Sequence, residues 1–331
     1  ESSIPRPQQH PHLPSGPELG DQVTRFLGLW LPHASTNYLR DQGYFQSICD
    51  ALVTASIPLM GAMYPHVAGQ FLRLSRTRQR LVYGTQGQYV DLFLPEQQQS
   101  TTMPTSSPSS TARLVCFVHG GAWGSGLPWM YRLCALPFLQ QGWTVAIPSY
   151  RVYPHGKAPE QVADIEAALA FVQKRFPQHH MTLMGHSSGA HIGLLWLAER
   201  AREILVNKAN PNNFPRVDAF VGLSGPYDIS HHFDYEAARG VEELSPMKAA
   251  CGITRQGFRR YSPALFLLDT LASVSSEPEV SAIFPSRILL LHSVEDATVP
   301  FTSTGEAARI LRSCGVTQCQ EVYIGPGTAH Q

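Results

Sequence analysis

Five residues, Gly185-His186-Ser187-Ser188-Gly189, fit the pattern G-x-S-x-G. A serine hydroxyl is a weak nucleophile until the backbone presents it and a base takes its proton. The flanking sequence meets the first condition. Met181-Thr182-Leu183-Met184 reads as a buried strand, and 190–202 as a helix with apolar Ile192, Leu194, Leu195 and Leu197. A strand, a sharp turn and a helix, with glycine on both flanks of the serine, form a nucleophile elbow. The turn brings neighbouring backbones within contact distance, and the helix dipole favours negative charge beside the hydroxyl.

The charge that develops during acyl transfer needs donors. His119-Gly120-Gly121-Ala122-Trp123 follows the apolar run Leu114-Val115-Cys116-Phe117-Val118. Glycine lets backbone amides turn inward with no Cβ in the way. The donors assigned here are Gly121 (or Gly120 and Ala122) and Ser188, each worth about 3 kcal/mol to an oxyanion. Trp123 packs or lines the pocket.

A serine also needs a base, and the base an orienter. In an elbow architecture the chain order is serine, acid, histidine. Arg287-Ile288-Leu289-Leu290-Leu291-His292 reads as a strand running into Ser293-Val294-Glu295-Asp296. Asp296 is chosen as the orienter, with Glu295 the alternative. After the last apolar run, Glu321-Val322-Tyr323-Ile324, comes His330, the sole histidine beyond His292. The proposed catalytic set is thus Ser187, Asp296 and His330.

Such groups must be carried by a rigid frame. Arg80–Tyr83 and 89–94 flank Gly84-Thr85-Gln86-Gly87 as a hairpin. Strands are then expected at 113–118, 143–148, 181–185, 217–223, 287–292 and 320–324. Helices are expected at 128–141, 158–175, 188–204 and 302–313. Apolar strands without alternation, separated by helices, make a mostly parallel sheet covered on both faces. The fold class is α/β, of the α/β-hydrolase kind, with catalytic domain 80–331. Within it, 96–112 is a Gln/Ser/Thr-rich flexible insert and 226–285 a lid-like region. Tyr150-Arg151, Pro154 and Asp164 read as structural, as does His186 beside the nucleophile. His231-His232-Phe233-Asp234 reads as lid surface.

The 331 residues carry 25 basic and 25 acidic side chains, so no global charge draws the chain to nucleic acid. The six cysteines, Cys49, Cys116, Cys134, Cys251, Cys314 and Cys319, show no zinc spacing and read as free thiols. No P-loop and no G-x-G-x-x-G stands at a strand end, so no cofactor or metal is implied. Residues 1–21 hold five prolines and read as a disordered tail rather than a secretory leader. The first residue, Glu1, suggests a processed or partial chain. Segment 22–79 is apolar and helical in pattern, and 51–72 lack any formal charge. Twenty-two such residues nominally cross a bilayer, although Pro58, Gly61, Pro65 and Gly69 interrupt them. Arg73, Arg76, Arg78 and Arg80 follow as a basic collar. Membrane association through 22–79 is expected, interfacial or as a broken hairpin.

Residues 119–123, Gly185–His191, Gly222-Leu223-Ser224-Gly225 and Asp296 with Val299-Pro300 resemble the carboxylesterase branch of the α/β-hydrolases. Arg80–Gly84, Asp91-Leu92-Phe93-Leu94-Pro95 and Tyr261-Ser262-Pro263 make the chain similar to isoprenylcysteine α-carbonyl methylesterases, from about residue 22 to 331. That resemblance implies an enzyme of the endoplasmic reticulum or Golgi membrane, its catalytic domain cytosolic. Its substrate would be a hydrophobic, prenylated methyl ester. Kynurenine formamidases and feruloyl or acetyl-xylan esterases share the same motifs, so formamidase or general esterase activity is the alternative. A non-catalytic hydrolase-fold receptor for a small ligand is the reading from another class. Two features depart from the pattern: Ser293 stands where glycine is usual, and no helix follows His330 in the sequence.

Overall fold

The computed structural model describes residues 61–96, 112–274 and 280–325, with five isolated positions between 47 and 58. Segment 1–46, most of the insert at 96–112 and the residues from 326 onward, His330 included, lie outside the described residues.

Among the described residues one sheet of eight strands runs β1-β2-β4-β3-β5-β6-β7-β8. The strands are β1 Gln79–Val82, β2 Tyr89–Phe93, β3 Arg113–Val118, β4 Thr144–Pro148, β5 His180–His186, β6 Ala219–Leu223, β7 Arg287–Ser293 and β8 Cys319–Ile324. The first hairpin and the β2–β4 pair are antiparallel; all other pairs are parallel. Each falls within two residues of its expected position.

Residues alternate across β3. Leu114, Cys116 and Val118 join the larger core, while Val115 and Phe117 join the smaller one on the opposite face. On the larger side lie α3 Ala158–Arg175, α4 Ser188–Leu205, α8 Pro263–Ala272 and α9 Thr302–Ser313. The smaller side is covered by α1 Pro65–Thr77 and the segment 128–140, through Leu74, Leu136 and Phe138. Among the described residues nothing covers the same face along β5–β7, where Thr182, Met184, Val221 and Leu289 border a cleft of about 550 Å³. The connection leaving β3 therefore covers one face, and that leaving β5 covers the other. Such a switch opens a crevice at the carboxyl ends of adjacent strands, here the ends that carry 119–123 and 186–188.

One expected helix is corrected. The helix expected over 128–141 is a 3-10 helix, Pro128–Ala135, followed by the short α2 Leu136–Gln140. Pro137 has no N–H to give and its ring crowds the preceding turn, so one continuous α-helix cannot form. Within the uncharged stretch 51–72, α1 begins afresh at Pro65 after Tyr64, and no described helix is long and apolar enough to cross a membrane. Met63, Tyr64 and Leu72 are exposed, while Leu74 is buried.

Within 226–285 the chain forms α5 Ile229–Ala238, α6 Met247–Ala250, α7 Arg255–Arg260 and α8. The last packs on α4 and α9 and buries Phe266 and Leu267, so it belongs to the body of the domain. Cys116, Cys251, Cys314 and Cys319 are buried free thiols, and Cys134 is an exposed one.

Candidate active site

Ser187 sits between β5 and α4 with φ +52° and ψ −124°. A non-glycine residue there is strained, and such strain persists only where surroundings over-determine it. The surroundings are the two glycines. A Cβ on Gly185 would lie 2.5 Å from the Gly189 carbonyl oxygen, and one on Gly189 would lie 2.3 Å from that of Val118. One glycine closes the turn on itself; the other seats it against the end of β3. The Ser187 amide donates to the Leu223 carbonyl at 2.8 Å, extending the parallel pairing into the turn. Ser188 opens α4 and is fully buried, so its amide is among the helix-end donors with no intrahelical acceptor.

The 119–126 loop wraps against this turn. A Cβ on Gly120 would stand 3.0 Å from the Ser187 Cβ. Gly121, Ala122 and Trp123 all have left-handed φ, at +134°, +49° and +60°. The loop spends its carbonyls on itself. Gly121 O accepts from the amides of Gly124 and Ser125 and from the Ser125 hydroxyl. Gly120 O accepts from His119 Nδ1 at 2.9 Å. In a trans peptide the N–H points opposite to the carbonyl, so the amides of Gly121 and Ala122 face away from these bonds. Among the described residues neither amide has an acceptor. His119 is stacked between Tyr131 and Tyr150, and burial pulls its pKa down to about 4.

Trp123 is 1% exposed, so it packs rather than meeting solvent. Its indole N–H donates to His191 Nδ1 at 3.1 Å, and His191 Nε2 donates to the Tyr261 carbonyl at 2.6 Å. Burial holds His191 neutral, with a pKa lowered to about 4. The motif contains His191, but its partner is 68 residues away in sequence. His186 is half-buried beside Tyr131, ring centroids 6.0 Å apart. His232, on α5, is buried and not on the surface as expected: it pairs with Glu236 at 3.3 Å and stands near the Trp123 ring.

After β7 the two acidic neighbours separate. Glu295 is exposed, whereas the Asp296 side chain is fully buried. Asp296 Oδ1 accepts from the amides of Thr298 and Val299 at 2.9 and 2.8 Å, and Oδ2 faces His292 Nε2 at 3.1 Å. His292 Nε2 is also 3.0 Å from the Val299 carbonyl, so this nitrogen carries the proton. Its Nδ1 then accepts from the Thr304 hydroxyl at 2.7 Å. These bonds fix the carboxylate in one orientation. The signal was a histidine one turn-length before the acid, unreadable without the loop's path. Helix α5 reaches this loop too: the Tyr235 hydroxyl donates to the Ala297 carbonyl at 2.7 Å, and the Arg239 guanidinium donates to the same atom. His330 lies outside the described residues; β8 ends with Ile324 paired to Ser293, three positions before Asp296.

The Gly-Leu-Ser-Gly segment is structural. A Cβ on Gly222 would lie 2.0 Å from the Tyr227 hydroxyl, so the glycine makes room for a buried tyrosine. Asp164 accepts from Arg151 and Gln88 and from the Arg151 backbone, consistent with its structural reading.

The profile of the BD-FAE family matches residues 91–309, well over half of the chain. This chain belongs to the BD-FAE family. The match spans β2 to α9 and so includes the elbow, the glycine loop and Asp296. Among curated relatives of this BD-FAE member, isoprenylcysteine alpha-carbonyl methylesterase of Arabidopsis thaliana is 26% identical over 265 residues, 78% of this chain and 58% of its own length. Esterase LipC of Mycobacterium tuberculosis is 26% identical over 262 residues, 76% of this chain and 59% of its own. The chain spans a little over half the length of these curated relatives. Among solved structures, Thermogutta terrifontis esterase 2 phosphorylated by paraoxon superposes with a TM-score of 0.52 at 18% identity, covering 77% of this chain and 84% of that one. The fold is that of an α/β-hydrolase.

Proposed function

We propose that this protein is a serine carboxylesterase working through an acyl-enzyme. The observation that carries the reading is Ser187, held at left-handed φ against a loop whose Gly121 and Ala122 amides have no acceptor among the described residues. In the proposed cycle Ser187 Oγ attacks the ester carbonyl and His330 takes its proton. Asp296 holds the resulting imidazolium. The amides of Gly121 and Ala122, or Gly120, with that of Ser188, carry the oxyanion. The tetrahedral adduct collapses by breaking the bond to the alkoxy group, and His330 protonates the departing alcohol. Water, deprotonated by His330, then attacks the acyl group; Ser187 leaves and regains its proton, releasing the acid.

The substrate class proposed is a hydrophobic ester, and in particular an isoprenylcysteine methyl ester cleaved to the free acid and methanol. The naming of the Arabidopsis relative and the motifs at 80–84, 91–95 and 261–263 support it. A lipid-like substrate also gives a purpose to α1. That helix turns Leu72 outward beside Arg73 and Arg76, and Met63 and Tyr64, just ahead of it, are exposed too, a composition suited to an anionic lipid surface. Membrane association through 22–79, at the endoplasmic reticulum or Golgi, is proposed on that basis.

The test is a fluorophosphonate probe followed by substrate comparison. Wild-type protein should be labelled at Ser187, and Ser187→Ala should lose both labelling and ester hydrolysis while keeping its circular dichroism. Retained hydrolysis in Ser187→Ala would reject the mechanism. Turnover of farnesylcysteine methyl ester well above p-nitrophenyl acetate and N-formylkynurenine supports the methylesterase reading; preference for N-formylkynurenine would move the assignment to a formamidase.

A further inference from the structure

We infer that His191 is a positioning residue for the 120–123 loop, acting through the Trp123 indole; this rests on reading Ser187 as an esterase nucleophile. The loop needs such support. Ala122 and Trp123 are two consecutive non-glycine residues at left-handed φ, a conformation that relaxes unless neighbours hold it. The Trp123 carbonyl is held by the Tyr153 amide at 2.8 Å and by Gln161 Nε2 at 2.9 Å. Its side chain has one polar anchor, the 3.1 Å bond to His191 Nδ1.

His191 is suited to that anchor by its tautomer. A carbonyl oxygen can only accept, so the 2.6 Å contact with Tyr261 O places the imidazole proton on Nε2. Nδ1 is left with its lone pair toward the indole N–H. The ring is fully buried, so water cannot replace either bond. Its backbone amide donates to Ser187 O at 3.1 Å, which sets it one turn along the nucleophile's own helix. One imidazole thus ties together the helix behind Ser187, the amides proposed for the oxyanion, and the segment that leads into α8. A hydrophobic side chain could fill the volume, but it could not fix the loop in this register.

A loop that drifts by a fraction of an ångström binds substrate nearly as before and stabilises the transition state less. Trp123→Phe removes the N–H and leaves most of the ring. It should lower kcat roughly tenfold with KM within about twofold. Affinity for a trifluoromethyl ketone, whose serine adduct carries the oxyanion, should fall by about the same factor. His191→Asn, which offers an acceptor oxygen near the Nδ1 position, should retain more kcat than His191→Leu. A folded Trp123→Phe protein with wild-type kcat and ketone affinity would overturn the inference, as would a change confined to KM. Should Trp123→Phe fail to fold, the Asn and Leu variants decide: equal kcat in the two overturns it. Failure of the underlying esterase reading looks different, since wild-type protein would then neither turn over esters nor react with a fluorophosphonate.

Discussion

Gly120 and Ser187 stand so close that a methyl group on the glycine would lie 3.0 Å from the serine Cβ, and equally close to the His186 carbonyl oxygen. The loop and the elbow are therefore one packed unit. Neither can shift without the other, although they follow different strands.

Gly120→Ala should expose that dependence. The added Cβ forces the loop or the turn to yield by a few tenths of an ångström. We expect roughly a tenfold fall in kcat with little change in melting temperature. Wild-type turnover in Gly120→Ala would mean that the two segments tolerate displacement and that their contact does not matter to the chemistry.

Asp296 and Glu295 should behave oppositely. Asp296→Asn removes the negative charge that would brace an imidazolium and should lower kcat by about 10³ to 10⁴. Glu295→Gln, at an exposed position, should stay within about twofold. Reversed effects in steady-state kinetics would transfer the orienting role to Glu295.

Acid should weaken the fold before it titrates most carboxylates. Burial lowers the pKa of both His119 and His191 to about 4, against about 6.5 in an unfolded chain. The unfolded state therefore takes up these protons first as pH falls. Stability is full above about pH 6.5 and declines toward pH 4, by up to about 3 kcal/mol for each ring. Urea midpoints at pH 7, 6 and 5 should drop in step, and His191→Asn should flatten the decline. Midpoints that do not move between pH 7 and 5 would contradict neutral, buried rings.

Asp164 should matter for stability alone. Its carboxylate is 6% exposed and binds Arg151 at 2.7 Å, along with Gln88 and a backbone amide. Asp164→Ala takes the main acceptor from the partly exposed Arg151 guanidinium and from the Gln88 amide, and should cost about 2 kcal/mol. The Michaelis constant should stay near that of wild type wherever the variant remains folded. A melting temperature within a degree of wild type would show that Arg151 finds water instead.

The sequence by itself determined the strand frame and the elbow. Strand positions follow from short apolar runs, and helices 158–175 and 302–313 from apolar spacing; both signals lie within a few consecutive residues. The glycines at 185 and 189 were legible because a tight turn imposes its backbone geometry locally. The tertiary structure alone decided which acid is buried, that Trp123 ends on His191, that His292 holds Asp296, and that α8 belongs to the body. Each of these depends on segments that meet only when the sheet closes. Trp123 and His191 are 68 residues apart, and His191 and Tyr261 are 70. No local pattern encodes such a meeting, because the crevice between β3 and β5 exists only once the chain has crossed to both faces of the sheet.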